Sequence, residues 1–273
     1  MKSALRKRNR TQKLDHLHPS FFDRLSGWTR SRLSVRRREV QLSTEVSLQP
    51  PLHQDQTLLY PEAGLALSKE GVLAAHAVEA GSTQSVELEF DDELSSLTLA
   101  PAGGPAKIHF ESFREDFFSH EVSGKAYQEW KERRLEDWKL CPCCVQRAFL
   151  RAQFPRKQVL YRIFEQRAES GKPFLVRLKG PHLDFHRELT IQRLSAEEGT
   201  VRLGDSSSLL EIRFFYIHAL GLKREMEEGT PTTVLTAFHS HGTPLFEICA
   251  DPEAQEEWLE ICEATSRDEN GNL

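Results

Sequence analysis

The chain has 273 residues and a formal net charge of −5, and 38% of its residues are hydrophobic. This composition is typical of a globular protein and excludes collagen-like, coiled-coil and fully disordered chains. No apolar run approaches the roughly 20 residues that cross a bilayer, and the first residues hold no apolar signal segment. Five cysteines, an odd number, do not suggest a secreted disulfide scaffold. We therefore predict a cytoplasmic protein with reduced thiols and no transmembrane segment.

Basic residues are concentrated at the start of the chain. Residues 1–40 hold twelve Lys or Arg against three acids, a net charge of +9, and the other 233 residues hold 24 bases against 38 acids, a net charge of −14. We predict a basic extension over residues 1–48, which forms a solvated tail with one amphipathic helix docked on the body. The alternatives are contact with nucleic acid or an acidic protein surface through residues 1–40, or contact with a membrane surface. Apolar residues at helical spacing support that helix: Phe21, Phe22, Leu25 and Trp28.

Residues 49–140 are predicted to form a small α+β segment. Two prolines within 49–56 interrupt the preceding pattern. A charge-rich stretch over 126–138, with Trp130 and Trp138 on one face, predicts a helix. Short stretches separated by Gly, Ser, Asp or Pro turns predict strands: 58–60, 64–67, 85–90, 97–99 and 107–110.

Residues 141–265 are predicted to form an antiparallel sheet with flanking helices and a closing C-terminal helix. A helix around 159–164 ends at a Gly and Pro stop signal, and Asp251 caps the last helix, which buries Trp258. Residues 266–273 form a polar tail. The strands follow at hairpin spacing: 174–178, 189–191, 199–203, 210–217, 233–238 and 245–249. The fold class is therefore α+β.

This order of elements resembles one half of the bacterial haem-utilisation proteins of the hemin-degrading factor family, over residues 155–265. The likeness rests on five segments and one aromatic residue: Ala168-Glu169-Ser170-Gly171 leading into the strand 174–178, Asp184-Phe185-His186, Leu210-Glu211-Ile212-Arg213-Phe214-Phe215, Lys223-Arg224, the hairpin 233–246, and Trp258. A pleckstrin-homology-like module, whose last strand also feeds a helix with one buried Trp, is the alternative fold.

The resemblance implies a cytoplasmic haem-binding or haem-handling protein, a carrier or regulator of haem and iron use. Residues 49–140 would then be a degenerate first repeat. The family holds haem through a histidine on a helix before the second sheet, and the nearest candidates are His120 and, behind it, His109. Arg177 and Arg213 are candidates for pairing with a propionate. The alternative function is a non-catalytic interaction module that uses the basic arm to bind nucleic acid or a protein partner.

Two clusters suggest metal or redox chemistry. Cys141, Cys143 and Cys144 lie where a helix begins, with the C-x-x-C spacing of a redox pair or of half a site for zinc or another soft metal; a structural role is the other alternative. His239 and His241, with His218, predict a metal site, unless they are solvated at the tip of a hairpin.

Motifs for nucleotide binding, phosphoryl transfer, serine hydrolysis and zincin proteolysis are absent from the sequence. Whether the protein is an enzyme therefore stays open at this point.

Overall fold

The structure, a computed structural model, describes residues 10–14, 17–18, 20–26, 28, 30–102, 104–134, 139–140, 142–227 and 229–270. This part of the chain holds six α-helices, and its strands belong to two antiparallel sheets. The chain divides into two compact units. The first comprises the described residues of Met1–Arg36, Ser43–Lys139 and Gly180–Asp184, and the second those of Arg37–Leu42, Leu140–Lys179 and Phe185–Leu273.

The first unit is rich in antiparallel strands. Its elements are β1 (Arg10–Lys13), α1 (Phe21–Leu25), β2 (Ser31–Arg37), β3 (Val40–Val46), β4 (Leu52–Gln54), β5 (Thr57–Tyr60), β6 (Leu65–Ser68), β7 (Val72–Ala80), β8 (Thr83–Phe90), β9 (Ser95–Pro101), α2 (Gly104–Phe117), β10 (His120–Val122) and α3 (Gly124–Arg134). One ladder runs in the order β10-β1-β7-β8-β9, and a second joins β4, β5 and β6. The turn between β2 and β3 is counted with the second unit.

The apolar residues near the N-terminus form a helix docked on this unit, as the docked-helix interpretation of the sequence predicts. Phe21, Phe22 and Leu25 of α1 are buried, and Trp28 follows with 1% of its surface exposed. The ring of Phe21 lies 5.1 Å from that of Phe113 in α2, and the ring of Trp28 lies 5.6 Å from it. Aromatic packing therefore attaches α1 to α2.

The prediction of a strand over 107–110 is wrong, because these residues belong to α2. Ile108 is 70% exposed, whereas Phe110 and Phe113 are buried. This spacing of three residues is helical, and an apolar pair two residues apart in a four-residue window does not distinguish a strand from a helix.

The second unit combines three helices with eight strands among its described residues. Its elements are α4 (Pro142–Gln153), α5 (Val159–Ser170), β11 (Phe174–Lys179), β12 (Leu183–Leu189), β13 (Arg193–Glu197), β14 (Thr200–Gly204), β15 (Ser208–Arg213), β16 (Ala219–Glu227), β17 (Thr230–Phe238), β18 (Pro244–Ala250) and α6 (Ala254–Asn270). One antiparallel ladder runs β13-β14-β15, and another runs β16-β17-β18-β11. The strand predicted over 210–217 ends at Arg213 and continues as a 3₁₀ turn, Phe214–Tyr216.

Helix boundaries in this unit follow the predicted signals. Helix α5 ends where Gly171 adopts φ 65°, a left-handed conformation that glycine takes without steric cost. Asp251 caps α6 by accepting a hydrogen bond from the Ala254 amide at 3.1 Å. Asp251 also accepts a hydrogen bond from the buried Arg167 at 2.9 Å, and the Arg167 guanidinium lies 5.2 Å from the ring centroid of Trp258. The predicted α+β fold class is confirmed. None of the described helices is long and apolar enough to span a membrane.

Candidate functional site

A cleft of about 290 Å³ lies beside α1 and α2 in the first unit. Trp28, Phe113 and Pro50 supply apolar surface, and Arg24 and His109 supply polar groups. The two helices place these residues together: His109 and Phe113 are four apart on α2 and share one face, and Trp28 packs against that face. The cleft therefore combines an aromatic wall with an imidazole and a guanidinium.

The charged groups of the cleft pair with exposed neighbours. Arg24 Nη2 donates a hydrogen bond to Asp116 Oδ2, and both side chains are about half exposed. Asp23 Oδ1 lies 3.1 Å from His53 Nε2. His109 is exposed. Exposed ion pairs contribute about 0–1 kcal/mol, so an incoming ligand can exchange with them at little cost.

His120, the first histidine candidate of the sequence, is not a helical residue. It begins the three-residue strand β10, opposite Lys13 of β1, and its Nδ1 atom lies 3.0 Å from Ser119 Oγ. His109, in contrast, lies on a helix and lines the cleft. The resemblance implies a histidine on the helix before the second sheet, but neither α4 nor α5 contains one. This chain therefore departs from the family pattern at that position.

Both arginine candidates are held in ion pairs of the second unit. Arg177 Nη1 lies 3.7 Å from Oε2 of Glu247, its register partner on β18, and both side chains are 20% exposed. Arg213 Nη1 lies 3.2 Å from Glu39 Oε2, and the Arg213 amide donates to the Glu39 carbonyl at 3.1 Å. The structure does not place these arginines in the unit that holds His109 and His120.

The predicted metal sites receive no support from the described residues. Cys141 and the side chain of Cys143 lie outside them, and Cys144 is a half-buried thiol of α4. Within the described ranges, no group of three or more His, Cys, Asp or Glu side chains is arranged to hold a metal ion. The expectation of a metal at the histidine pair therefore gains no support there, and zinc or another soft metal at the cysteine cluster stays a prediction.

The histidines of the last hairpin are not simply solvated. His239 is 1% exposed, and its ring stacks at 6.4 Å on that of Tyr216, whereas the exposed His241 lies 5.1 Å from His239. The Arg38 guanidinium lies 4.9 Å from the Tyr216 ring centroid. Burial, together with the charges of His241, Arg38 and His218, lowers the pKa of His239 to about 4. The positive charge of the Arg38 guanidinium acts on His239 and disfavours a metal cation beside it.

Arg38 is not among the site residues that the sequence predicts. The run Arg36-Arg37-Arg38 counts toward the basic arm, but Arg38 lies in the turn between β2 and β3 with φ 56° and only 7% of its surface exposed. Its burial depends on the second unit, which local sequence does not reveal.

A buried network of charges lies in the first unit. Tyr127 Oη donates to Glu87 Oε2 at 2.6 Å, and Lys131 Nζ donates to the same oxygen at 2.8 Å. Lys131 also lies 3.3 Å from Glu89, which accepts a hydrogen bond from Arg134 at 2.9 Å. Burial raises the pKa of Glu89, whereas Lys131 and Tyr127 outweigh burial and lower the pKa of Glu87. These contacts attach α3 to β8.

A buried histidine packs beside this network. His76 is 3% exposed, and its ring lies 4.2 Å from that of Tyr127 and 5.5 Å from that of Trp130. Burial lowers the pKa of His76 to about 4; Glu87 opposes this shift, and Lys13 and Lys131 reinforce it. His76 is therefore neutral at pH 7. Trp138, predicted to share the face of Trp130, lies outside the described residues.

The predicted nucleic-acid contact through residues 1–40 also gains no support. Arg30 and Arg32 lie 2.6 and 3.9 Å from oxygens of Glu45, and Arg24 pairs with Asp116. These described arginines are engaged by carboxylates of the same unit.

Comparison with solved structures identifies a shared fold. The heme degrading enzyme ChuS from Escherichia coli O157:H7 superposes with a TM-score of 0.70, covering 92% of this chain and 86% of ChuS at 11% identity. Apo-PhuS, a heme-binding protein from Pseudomonas aeruginosa, superposes with a TM-score of 0.68, covering 93% of this chain and 86% of PhuS at 16% identity. No family model and no curated sequence matches the chain. The resemblance is confirmed as one of fold, and it extends well beyond residues 155–265.

Proposed function

We propose that this protein binds haem and hands it on, as a cytoplasmic carrier or regulator of haem and iron use. The observation that carries the proposal is the fold shared over 92% of the chain with a heme degrading enzyme and over 93% with a heme-binding protein. Because one fold can host several functions, the side chains must also suit the ligand.

The cleft of the first unit suits haem chemically. An imidazole such as that of His109 is a common iron ligand, a guanidinium such as Arg24 pairs with a carboxylate, and Trp28 and Phe113 give the cleft an apolar wall. When bound, haem would supply the iron centre. The cleft, at about 290 Å³, lies just below the range of about 300–1,000 Å³ for ligand pockets.

We propose His109 as the iron ligand and His120 as the second candidate. His109 lies in the cleft, whereas His120 lies on an edge strand beside Ser119. For the propionate we propose Arg24, because its partner Asp116 is exposed and is readily exchanged. Arg177 and Arg213 remain candidates, but a propionate would have to displace Glu247 or Glu39 from them.

Titration of the reduced protein with haem tests these assignments residue by residue. His109→Ala should weaken the haem affinity, measured from the saturable, red-shifted Soret band, by about tenfold or more, because one coordination bond is lost. His120→Ala should change affinity by less than about twofold, and His186→Ala, which removes an exposed histidine of β12, is the matched control. Loss of the band in His120→Ala with an intact band in His109→Ala would move the ligand to β10. Equal effects in all three variants would contradict specific ligation.

A further inference from the structure

Arg38 occupies a conformation that arginine rarely adopts. It lies in the turn between β2 and β3 with φ 56°, in the left-handed region that glycine and asparagine favour. Only 7% of its surface is exposed. Backbone strain of this kind persists where the surroundings hold it, and it is concentrated at ligand sites.

The guanidinium of Arg38 is buried against an aromatic ring. Its Cζ atom lies 4.9 Å from the centroid of Tyr216, and within the described part of the chain its Nε atom has no hydrogen-bond partner. The adjacent carboxylate, Glu39, lies 3.2 Å from Arg213. A buried charge is costly unless an opposite charge or hydrogen bonds compensate it, and the unpartnered Nε atom leaves this charge incompletely compensated among the described residues.

Imidazoles lie beside the aromatic partner of Arg38. Tyr216 stacks on His239, His241 lies 5.1 Å beyond, and the charges of His241, Arg38 and His218 all act on His239. Ser240 Oγ lies 3.3 Å from His239 Nδ1. The strand that ends just before His239 has a register shift at Ala237/Phe238, and such irregularities re-aim side chains beside functional sites.

We propose that Arg38, Tyr216, His218, His239 and His241 form a binding site for a small oxyanion, a carboxylate or a phosphate. Guanidinium, phenol and imidazole groups all donate hydrogen bonds to such an anion, and the guanidinium supplies the compensating charge. The site lies within the second unit and does not depend on the proposed haem cleft of the first.

Stacking on Tyr216 could instead hold Arg38 for structural reasons alone. The variant Arg38→Gly separates the two explanations, because glycine suits the positive φ and the variant should fold. Arg38→Lys keeps the charge without the planar fork. Arg36→Gln removes the same charge from an exposed position of the same hairpin and serves as the control.

The test follows the imidazole resonances of His239 and His241 by NMR while inorganic phosphate or citrate is added to the full chain. The wild type should give saturable shifts with at least one anion. The anion that binds shows whether the site takes a phosphate or a carboxylate. Arg38→Gly should weaken that binding by about tenfold or more, Arg38→Lys should weaken it less, and Arg36→Gln should stay within about twofold. Absence of saturable shifts with both anions in the wild type, or equal affinity in folded Arg38→Gly, would overturn the proposal.

Discussion

Two buried clusters of charged and aromatic residues differ in how their charges are balanced. In the first unit, Glu87 and Glu89 each lie within 3.3 Å of a Lys131 or Arg134 nitrogen. In the second unit, Arg38 stacks on Tyr216 among imidazoles, and its Nε atom has no partner in the described part of the chain. The first arrangement attaches a helix to a sheet. The second leaves charge for a ligand to compensate, so the imbalance, rather than burial itself, indicates a site.

The largest expected effect comes from breaking the balanced network. Lys131→Ala removes the cation shared by Glu87 and Glu89, and we expect it to lower the free energy of unfolding by about 2–3 kcal/mol, less than a fully buried pair because Lys131 is 28% exposed. Urea denaturation measures the change. Lys125→Ala on the same helix removes an exposed pair with Glu129 and should cost less than about 0.5 kcal/mol. Similar losses in both variants would contradict the structural role of the network.

The next effect concerns the buried histidines and pH. The pKa of His76 is about 4 in the folded protein against 6.5 for the ordinary side chain, so between these values the unfolded state binds more protons. The contribution of His76 to stability is therefore fully present above pH 6.5 and is lost as the pH drops toward 4, a loss of about 3 kcal/mol. His239 contributes with the same sign.

Replacing His76 with phenylalanine keeps a ring against Tyr127 and removes the titrating group. Urea denaturation at pH 7 and at pH 4.5 should show a smaller loss of stability in His76→Phe than in the wild type. His186→Ala, which removes an exposed histidine, should lose as much stability between the two pH values as the wild type. An unchanged pH dependence in His76→Phe would mean that His76 does not contribute.

The smallest expected effect has the opposite sign. Arg38→Gly relieves a left-handed arginine and removes a buried charge, so in anion-free buffer we expect it to stabilise the protein by about 1 kcal/mol. The midpoint temperature of thermal unfolding would then rise by roughly 2–4 °C. A clear fall in the unfolding temperature would show that stacking on Tyr216 stabilises the fold, and the contrast between the two clusters would disappear.

Local patterns predicted much of the fold because they report on burial along single segments. Alternation located the strands that became β8, β9 and β11, and the capping Asp251 and the stop at Gly171 located helix ends. The same reasoning failed at 107–110, where the window was too short to separate the two periods.

The candidate sites were harder to predict, because they depend on contacts between residues distant in sequence. Arg38 and Tyr216 are separated by more than half of the chain, and Trp28 and His109 by 81 residues. His109 was named from its sequence, but only the packing of α1 on α2 placed it in a cleft. The burial of His239 likewise follows from its neighbours rather than from its hairpin.

A haem titration of the purified, reduced wild-type protein tests the central claim most directly. The proposal predicts a saturable, red-shifted Soret band that reaches its plateau at one haem per chain. Haem added beyond one equivalent should then increase the Soret band no further. A second haem-binding protein, added without its haem, should remove the bound haem within the experiment, as expected of a carrier. Absorbance that rises in proportion to added haem without a plateau would contradict the claim and leave the likeness to ChuS and PhuS as one of fold alone.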